Sequence, residues 1–127
     1  MSIINKFFGS SPSEKTSTIP WQILDSSDEL ENLIRNSDQS PAIIFKHSTR
    51  CSISRMALKQ FESEFALHDK VTPYFLDLLK FREVSNLVAS RLNVVHQSPQ
   101  LIVIKDRIAV YDASHSDISA DVLAKKI

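Results

Sequence analysis

The chain has 127 residues, enough for a single domain with one hydrophobic core. Its 15 lysines and arginines balance its 15 aspartates and glutamates, and a net charge of zero gives no electrostatic case for a nucleic acid or an anionic membrane as partner. A single cysteine excludes any intramolecular disulfide and suits a reducing cytoplasm better than an oxidising compartment.

Residues 1–19 read as a tail and linker. Ile3, Ile4, Phe7 and Phe8 have the spacing of a short amphipathic helix that docks on the domain, with a disordered tail as the alternative, and Gly9 to Thr18 is rich in Ser, Thr and Pro. This start is not a secretory signal, because its apolar piece is short, is broken by Asn5 and Lys6, and lacks a small-residue cleavage site. No run approaches the roughly eighteen apolar residues of a membrane span. The expectation is a cytoplasmic domain over residues 20–127. Gly9 is the only glycine, so the turns of that domain must rely on Asn, Asp, Ser and Pro.

Within the domain, Trp21 to Leu24 forms a short first strand led in by Pro20. Ser26 and Ser27 are N-cap candidates for a helix carrying Leu30, Leu33 and Ile34 at i, i+3 and i+4, which should stop between Asn36 and Ser40. Pro41 to Lys46 is a buried strand with Ile43, Ile44 and Phe45 in sequence. The polar turn His47-Ser48-Thr49-Arg50 follows, and Cys51 opens a helix from about Ser52 that buries Ile53, Met56, Ala57, Phe61 and Phe65. Val71 to Leu78 is the next strand, centred on Tyr74, Phe75 and Leu76. Pro73 within it implies an early, edge or irregular position.

Arg82 to Leu92 is an amphipathic helix with Val84, Leu87, Val88 and Leu92 on one side. After Asn93 to Pro99 come two strands, Gln100 to Ile104 and Ile108 to Tyr111, joined as a hairpin by Asp106-Arg107. A last helix runs from about Ser116 to Lys126 with Ile118, Val122 and Leu123 inward. Asp117 near its amino end and Lys125 and Lys126 near its carboxy end suit the macrodipole. The order is β-α-β-α-β-α-β-β-α, without internal repeats. Strands separated by helices are expected parallel, with the hairpin adding an antiparallel strand. The result is an α/β fold of thioredoxin-like order, a mixed central sheet flanked by helices.

Cys51 carries the chemistry. A cysteine in the first turn of a helix sits near backbone N–H groups without intrahelical partners, at the positive end of the macrodipole. Arg50 and Arg55, with Lys46 and Lys59 further off, add positive charge. Both effects favour thiolate, which is the nucleophile. The plainer reading is a small buried apolar residue, but the polar flanks His47, Ser48, Thr49, Arg50, Ser52 and Ser54 argue against deep burial. Ser54 stands where a C-x-x-C pair has its second cysteine, so an adduct on Cys51 must be released by another molecule. Ser54 either donates a hydrogen bond to the thiolate or is an ordinary first-turn serine.

The segment HSTRCSIS, between an apolar strand and RMALKQFE, resembles the monothiol bacilliredoxins, thioredoxin-like proteins whose active site reads roughly T-C-P-I-S. The resemblance runs from about Trp21 to Ile127. Cys51, Ile53 and Ser54 match, while Arg50 replaces the usual Thr (Thr49 is one residue earlier) and Ser52 replaces the usual Pro, giving up a φ pre-set for the first helical turn. It implies a cis Ser98–Pro99 bond lying against Cys51, with the Ser98 backbone exposed to pair with a thiol-bearing substrate. It also implies bacillithiol as the low-molecular-weight thiol, although glutathione or coenzyme A would serve the same mechanism.

The expected co-substrate is such a thiol and the expected partners are S-thiolated client proteins, with no permanently bound cofactor, no metal, no nucleic acid and no membrane expected. Lys46 and Arg50 are candidates for carboxylates on the thiol ligand. His47 and His115 are candidates for the rim of the site, with solvated surface as the alternative for these four, and Ser116 and Asp117 are candidates for holding the ligand by analogy of fold position with glutaredoxins. His47, His96 and His115 lack compact metal-ligand spacing, and a cysteine hydrolase would need an orienting Asn or Asp and a cleft. Two further readings stand beside an exchange enzyme. One is a non-catalytic thioredoxin-like adaptor domain with an inert Cys51. The other is an iron–sulfur carrier like the monothiol glutaredoxins, whose C-G-F-S site has glycine where this chain has Ser52.

Overall fold

A computed structural model describes residues 19–66 and 70–127. The docking helix and linker expected in residues 1–18 lie outside the described residues. The elements are β1 (Gln22–Ile23), α1 (Ser27–Asn36), β2 (Ala42–His47), α2 (Ser52–Glu64), β3 (Thr72–Asp77), α3 (Arg82–Leu92), β4 (Gln100–Lys105), β5 (Ile108–Ser114), a 3₁₀ turn (His115–Asp117) and α4 (Ala120–Ala124). They form a five-stranded sheet in the order β1-β3-β2-β4-β5.

Strand β2 is central and buried at every position, as its unbroken apolar run requires. Alternate side chains enter opposite layers. Ala42 and Ile44 join a core with Leu30, Leu33, Ile34, Val84 and Val88 of α1 and α3. Ile43 and Phe45 join a second with Ile19, Phe61 and Phe65 against α2, and with Leu123 of α4. Trp21, Phe45 and Phe61 pack as a ring cluster there, with centroids 5.7 to 6.2 Å apart, in the tilted and edge-on geometries that aromatic quadrupoles favour.

Strands β1, β3 and β2 are mutually parallel. Pro73 is tolerated near the start of β3 because β1 pairs only with Tyr74 and Phe75, so no neighbour on that side needs its missing N–H. The orientation expected for β4 is corrected: it follows a helix, yet it runs antiparallel to β2. A crossover yields a parallel strand when it traverses the sheet once. Here β3 ends with Asp77 opposite His47 and β4 begins with Gln100 opposite Lys46, so α3 and the segment 93–99 together leave and regain the same end of the sheet.

With no glycine among the described residues, left-handed backbone falls on Asn93, Asp106, Arg107 and His115. Asn93 ends α3. Asp106 and Arg107, both with positive φ, make the tight β4–β5 turn. That turn is stapled to the end of α1, where the Arg107 N–H donates to Ser37 Oγ at 2.8 Å and the guanidinium pairs with Asp38 at 2.7 Å.

Two burial expectations are also corrected. Ile53 and Met56 are 58% and 71% exposed. The face of α2 that turns inward carries Ser54 and Phe61, at i and i+7, and a serine on that face disguised it. The last helix is shorter than expected: Ile118 is extended at ψ 120, which drops its side chain into the core, and Ser119 caps a helix of only five residues. Asp117 therefore lies in the 3₁₀ turn, and Val122 is exposed.

Candidate active site

The site is built at the end of β2, where two polar residues follow the apolar run. Lys46 and His47 are both buried and, being consecutive, enter opposite layers. The sequence placed His47 in a polar turn, whereas it is the last residue of the strand and only 5% exposed. Its ring lies 5.5 Å from that of Phe75. His47 Nδ1 is 2.7 Å from Ser54 Oγ, and Ser54 is fully buried. The Ser48 N–H donates to the same hydroxyl at 3.0 Å. Burial, followed by the positive charge of Arg55, holds the His47 pKa below its usual value, with Asp77 and Glu62 opposing. With Nδ1 unprotonated, the neutral imidazole accepts the hydroxyl proton, while Ser54 Oγ accepts the Ser48 N–H. These contacts give Ser54 a part beyond the two expected readings, a donor to the thiolate or an ordinary first-turn serine. Its hydroxyl ties the start of α2 to the end of β2.

Cys51 is the N-cap residue of α2, in extended conformation and half-buried. Its N–H donates to the Ser48 carbonyl at 3.2 Å, and its carbonyl accepts the first intrahelical bond from Arg55 at 3.1 Å. The N–H groups of the turn it opens therefore have no intrahelical acceptor. Thr49, Arg50 and Ser52 are exposed around it. Arg55 is drawn back over the loop, its Nη1 donating to the Thr49 carbonyl at 3.1 Å. An open groove of about 500 Å³ beside Ser52 is lined by His47, Arg55, Met56, Lys59 and Glu62. On the other side of α2 a groove of about 310 Å³ runs between Ile53, Met56, Gln60, His115 and Ser116.

The Ser98–Pro99 bond is cis, as expected. Pro99 is buried one residue ahead of β4, and its carbonyl accepts the His115 N–H at 3.1 Å, which brings the 3₁₀ turn to the same end of the sheet. None of the described hydrogen bonds engages the Ser98 main chain, and its hydroxyl is buried without a partner. His115, Ser116 and Asp117 are exposed. Lys46 is corrected. It does not stand at the surface to meet a ligand's carboxylate; it is fully enclosed, with Nζ 3.0 Å from His96 Nδ1, and burial lowers its pKa from 10.5 to about 8. Sequence reasoning missed this pair. The available signal was a lysine directly after three apolar strand residues.

The family described as Monothiol bacilliredoxin BrxC matches residues 22–123, the whole sheet and all but the end of α4. The chain belongs to that family. As a bacilliredoxin it is a thiol oxidoreductase, a redox enzyme of thioredoxin fold. It is similar to a solved protein described as a proposed oxidoreductase with a thioredoxin fold, at 31% identity over 82% of this chain and 90% of that one, with a TM-score of 0.72. Malassezia sympodialis thioredoxin shares the fold at 17% identity, 87% and 90% coverage and a TM-score of 0.66. So does mitochondrial thioredoxin 3 of Saccharomyces cerevisiae, at 18% identity, 83% and 91% coverage and 0.63. In this bacilliredoxin no helix among the described residues is long and apolar enough to cross a membrane.

Proposed function

We propose that the chain removes a low-molecular-weight thiol from protein mixed disulfides by a monothiol route through Cys51. The observation that carries this reading is the pairing of a half-buried Cys51 at the start of α2 with Ser54, buried and fully hydrogen-bonded, in the position of a resolving thiol. The Cys51 thiolate attacks the sulfur of the small thiol in a protein–S–S–R disulfide. The Cys51–S–S–R bond forms, and the client leaves as its thiolate. A second R–S⁻ then attacks R's sulfur on Cys51, releasing R–S–S–R and restoring the Cys51 thiolate, with electrons balanced by disulfide exchange throughout. Family membership favours bacillithiol as R–SH; glutathione and coenzyme A are the alternative co-substrates, and S-thiolated cytoplasmic proteins are the clients.

Stopped-flow mass spectrometry of the adduct tests it. Release should be first order in added thiol, Cys51→Ser should abolish exchange, and Ser54→Cys should open an internal route that makes release nearly independent of thiol, because an intramolecular step gains from proximity. Adduct decay indifferent to thiol concentration in the wild type, or exchange retained in Cys51→Ser, would overturn the monothiol mechanism.

A further inference from the structure

Lysine is almost never fully enclosed unless it is paired with a charge. Lys46 is fully enclosed, and its partner is Nδ1 of an exposed histidine, His96, at 3.0 Å. Among the described residues no carboxylate acts on either side chain, and Arg82 at the start of α3 adds more positive charge beside His96. An arrangement so unfavourable for burial marks a place where folding stability has been given up for something else.

His96 belongs to the segment that leaves α3 at Asn93 and leads to Ser98. Val94 packs on the core, but beyond it the segment has little apolar anchorage, since Val95 is 77% exposed and His96 is exposed too. Polar grips hold it instead. Gln100, the register partner of Lys46 across β2 and β4, is fully buried; its Nε2 donates to the Val95 carbonyl at 3.0 Å and its Oε1 accepts from the Gln97 N–H at 3.3 Å. Lys46 and Gln100 thus take hold of residues 95, 96 and 97 in succession, immediately ahead of the unengaged Ser98 main chain.

We infer that Lys46 is a positioning residue for thiol exchange: acting through His96, and with Gln100 beside it, its side chain sets the path of residues 95–98 and so presents the Ser98 main chain to the mixed-disulfide partner. The inference rests on the exchange reading above. The groups facing the pair are few. Leu76 of β3 and Gln100 of β4 flank Lys46 without charge, Arg82 faces His96, and Asp112 of β5 enters only through Gln100, at 3.3 Å. The grip is strongest with Lys46 protonated and His96 neutral. It is therefore at full strength between the lowered His96 titration and about pH 8, and weakens above that as Lys46 becomes a neutral, poorer donor.

The test compares Lys46→Met and His96→Ala with the wild-type full chain; His96 is exposed, so its removal leaves the core intact. Losing a hydrogen bond to a charged group should raise KM for an S-thiolated protein about tenfold at pH 7 with kcat nearly unchanged. Alkylation of Cys51 by iodoacetamide should keep its wild-type rate, and amide hydrogen exchange at Gln97, whose N–H Gln100 holds, should quicken. The wild-type KM should climb above about pH 8, while both variants stay flat. Unchanged hydrogen exchange at the Gln97 amide in both variants overturns the inference, as does a KM change matched by an equal loss of alkylation. If the wild type performs no disulfide exchange, the functional reading fails on its own, while the hydrogen-exchange comparison still decides whether Lys46 places the segment.

Discussion

Replacing Lys46 by Met should make the fold more stable at pH 7. The lysine is protonated both in the folded chain and in the unfolded one at that pH, but the folded protein holds the charge out of water. Lowering its pKa from 10.5 to about 8 corresponds, at about 1.4 kcal/mol per pH unit, to roughly 3 kcal/mol of destabilisation. The sign follows from proton linkage. Between about pH 8 and 10.5 the unfolded chain binds more protons than the folded one, so stability rises with pH through that window and is lost as pH falls through about 8. Methionine has a similar unbranched length and no charge, and fits the enclosed site as an apolar filler. Urea or thermal unfolding of the two proteins at pH 7 should show the variant ahead by about 2–3 kcal/mol, on the order of 10 °C in Tm for a domain of this size. The gap should narrow as pH is raised towards 10.5, since the wild type then buries a neutral amine. A variant no more stable than wild type at pH 7, or a gap indifferent to pH between 8 and 10.5, would refute the reasoning.

Ser54→Ala leaves the buried His47 Nδ1 and the Ser48 N–H without their shared partner, and should cost about 1–3 kcal/mol in urea unfolding; Ser54→Cys restores a polar atom and should cost less. His47 has a depressed folded-state pKa, so its contribution is present above about 6.5 and lost as pH falls through the folded value. Stability curves should therefore drop on the acid side of pH 6.5 in the wild type and less steeply in His47→Gln, and parallel curves would count against a buried neutral imidazole.

Most of the fold was legible because its signals are local. The apolar run of β2, the i, i+3, i+4 stripes of α1 and α3, and the Asp106-Arg107 hairpin turn each declare themselves within ten residues. The direction of β4 was not, since it depends on where the segment 93–99 ends rather than on any residue in it. In the site, Cys51 could be placed at a helix start from the strand and turn before it. What periodicity hid were polar residues in apolar positions. Ser54 occupies the inward face of α2 and made Ile53 and Met56 look like core. Lys46 reads as the polar residue that ends a strand, although its enclosure depends on His96, fifty positions away in the chain. Contacts of that span leave no trace in local pattern.

The adjacency of Lys46 and His47 constrains how the chain can vary in length. One residue faces the α1–α3 layer and the other the α2 layer, so the site depends on the parity of the strand. Inserting one residue between Ala42 and Phe45 would send the lysine towards Ser54 and the histidine towards His96, undoing both attachments at once. Inserting two would restore the facing but carry Cys51 about 6.6 Å further along the strand axis, away from Ser98. The span from Ala42 to Cys51 therefore has a fixed count of residues.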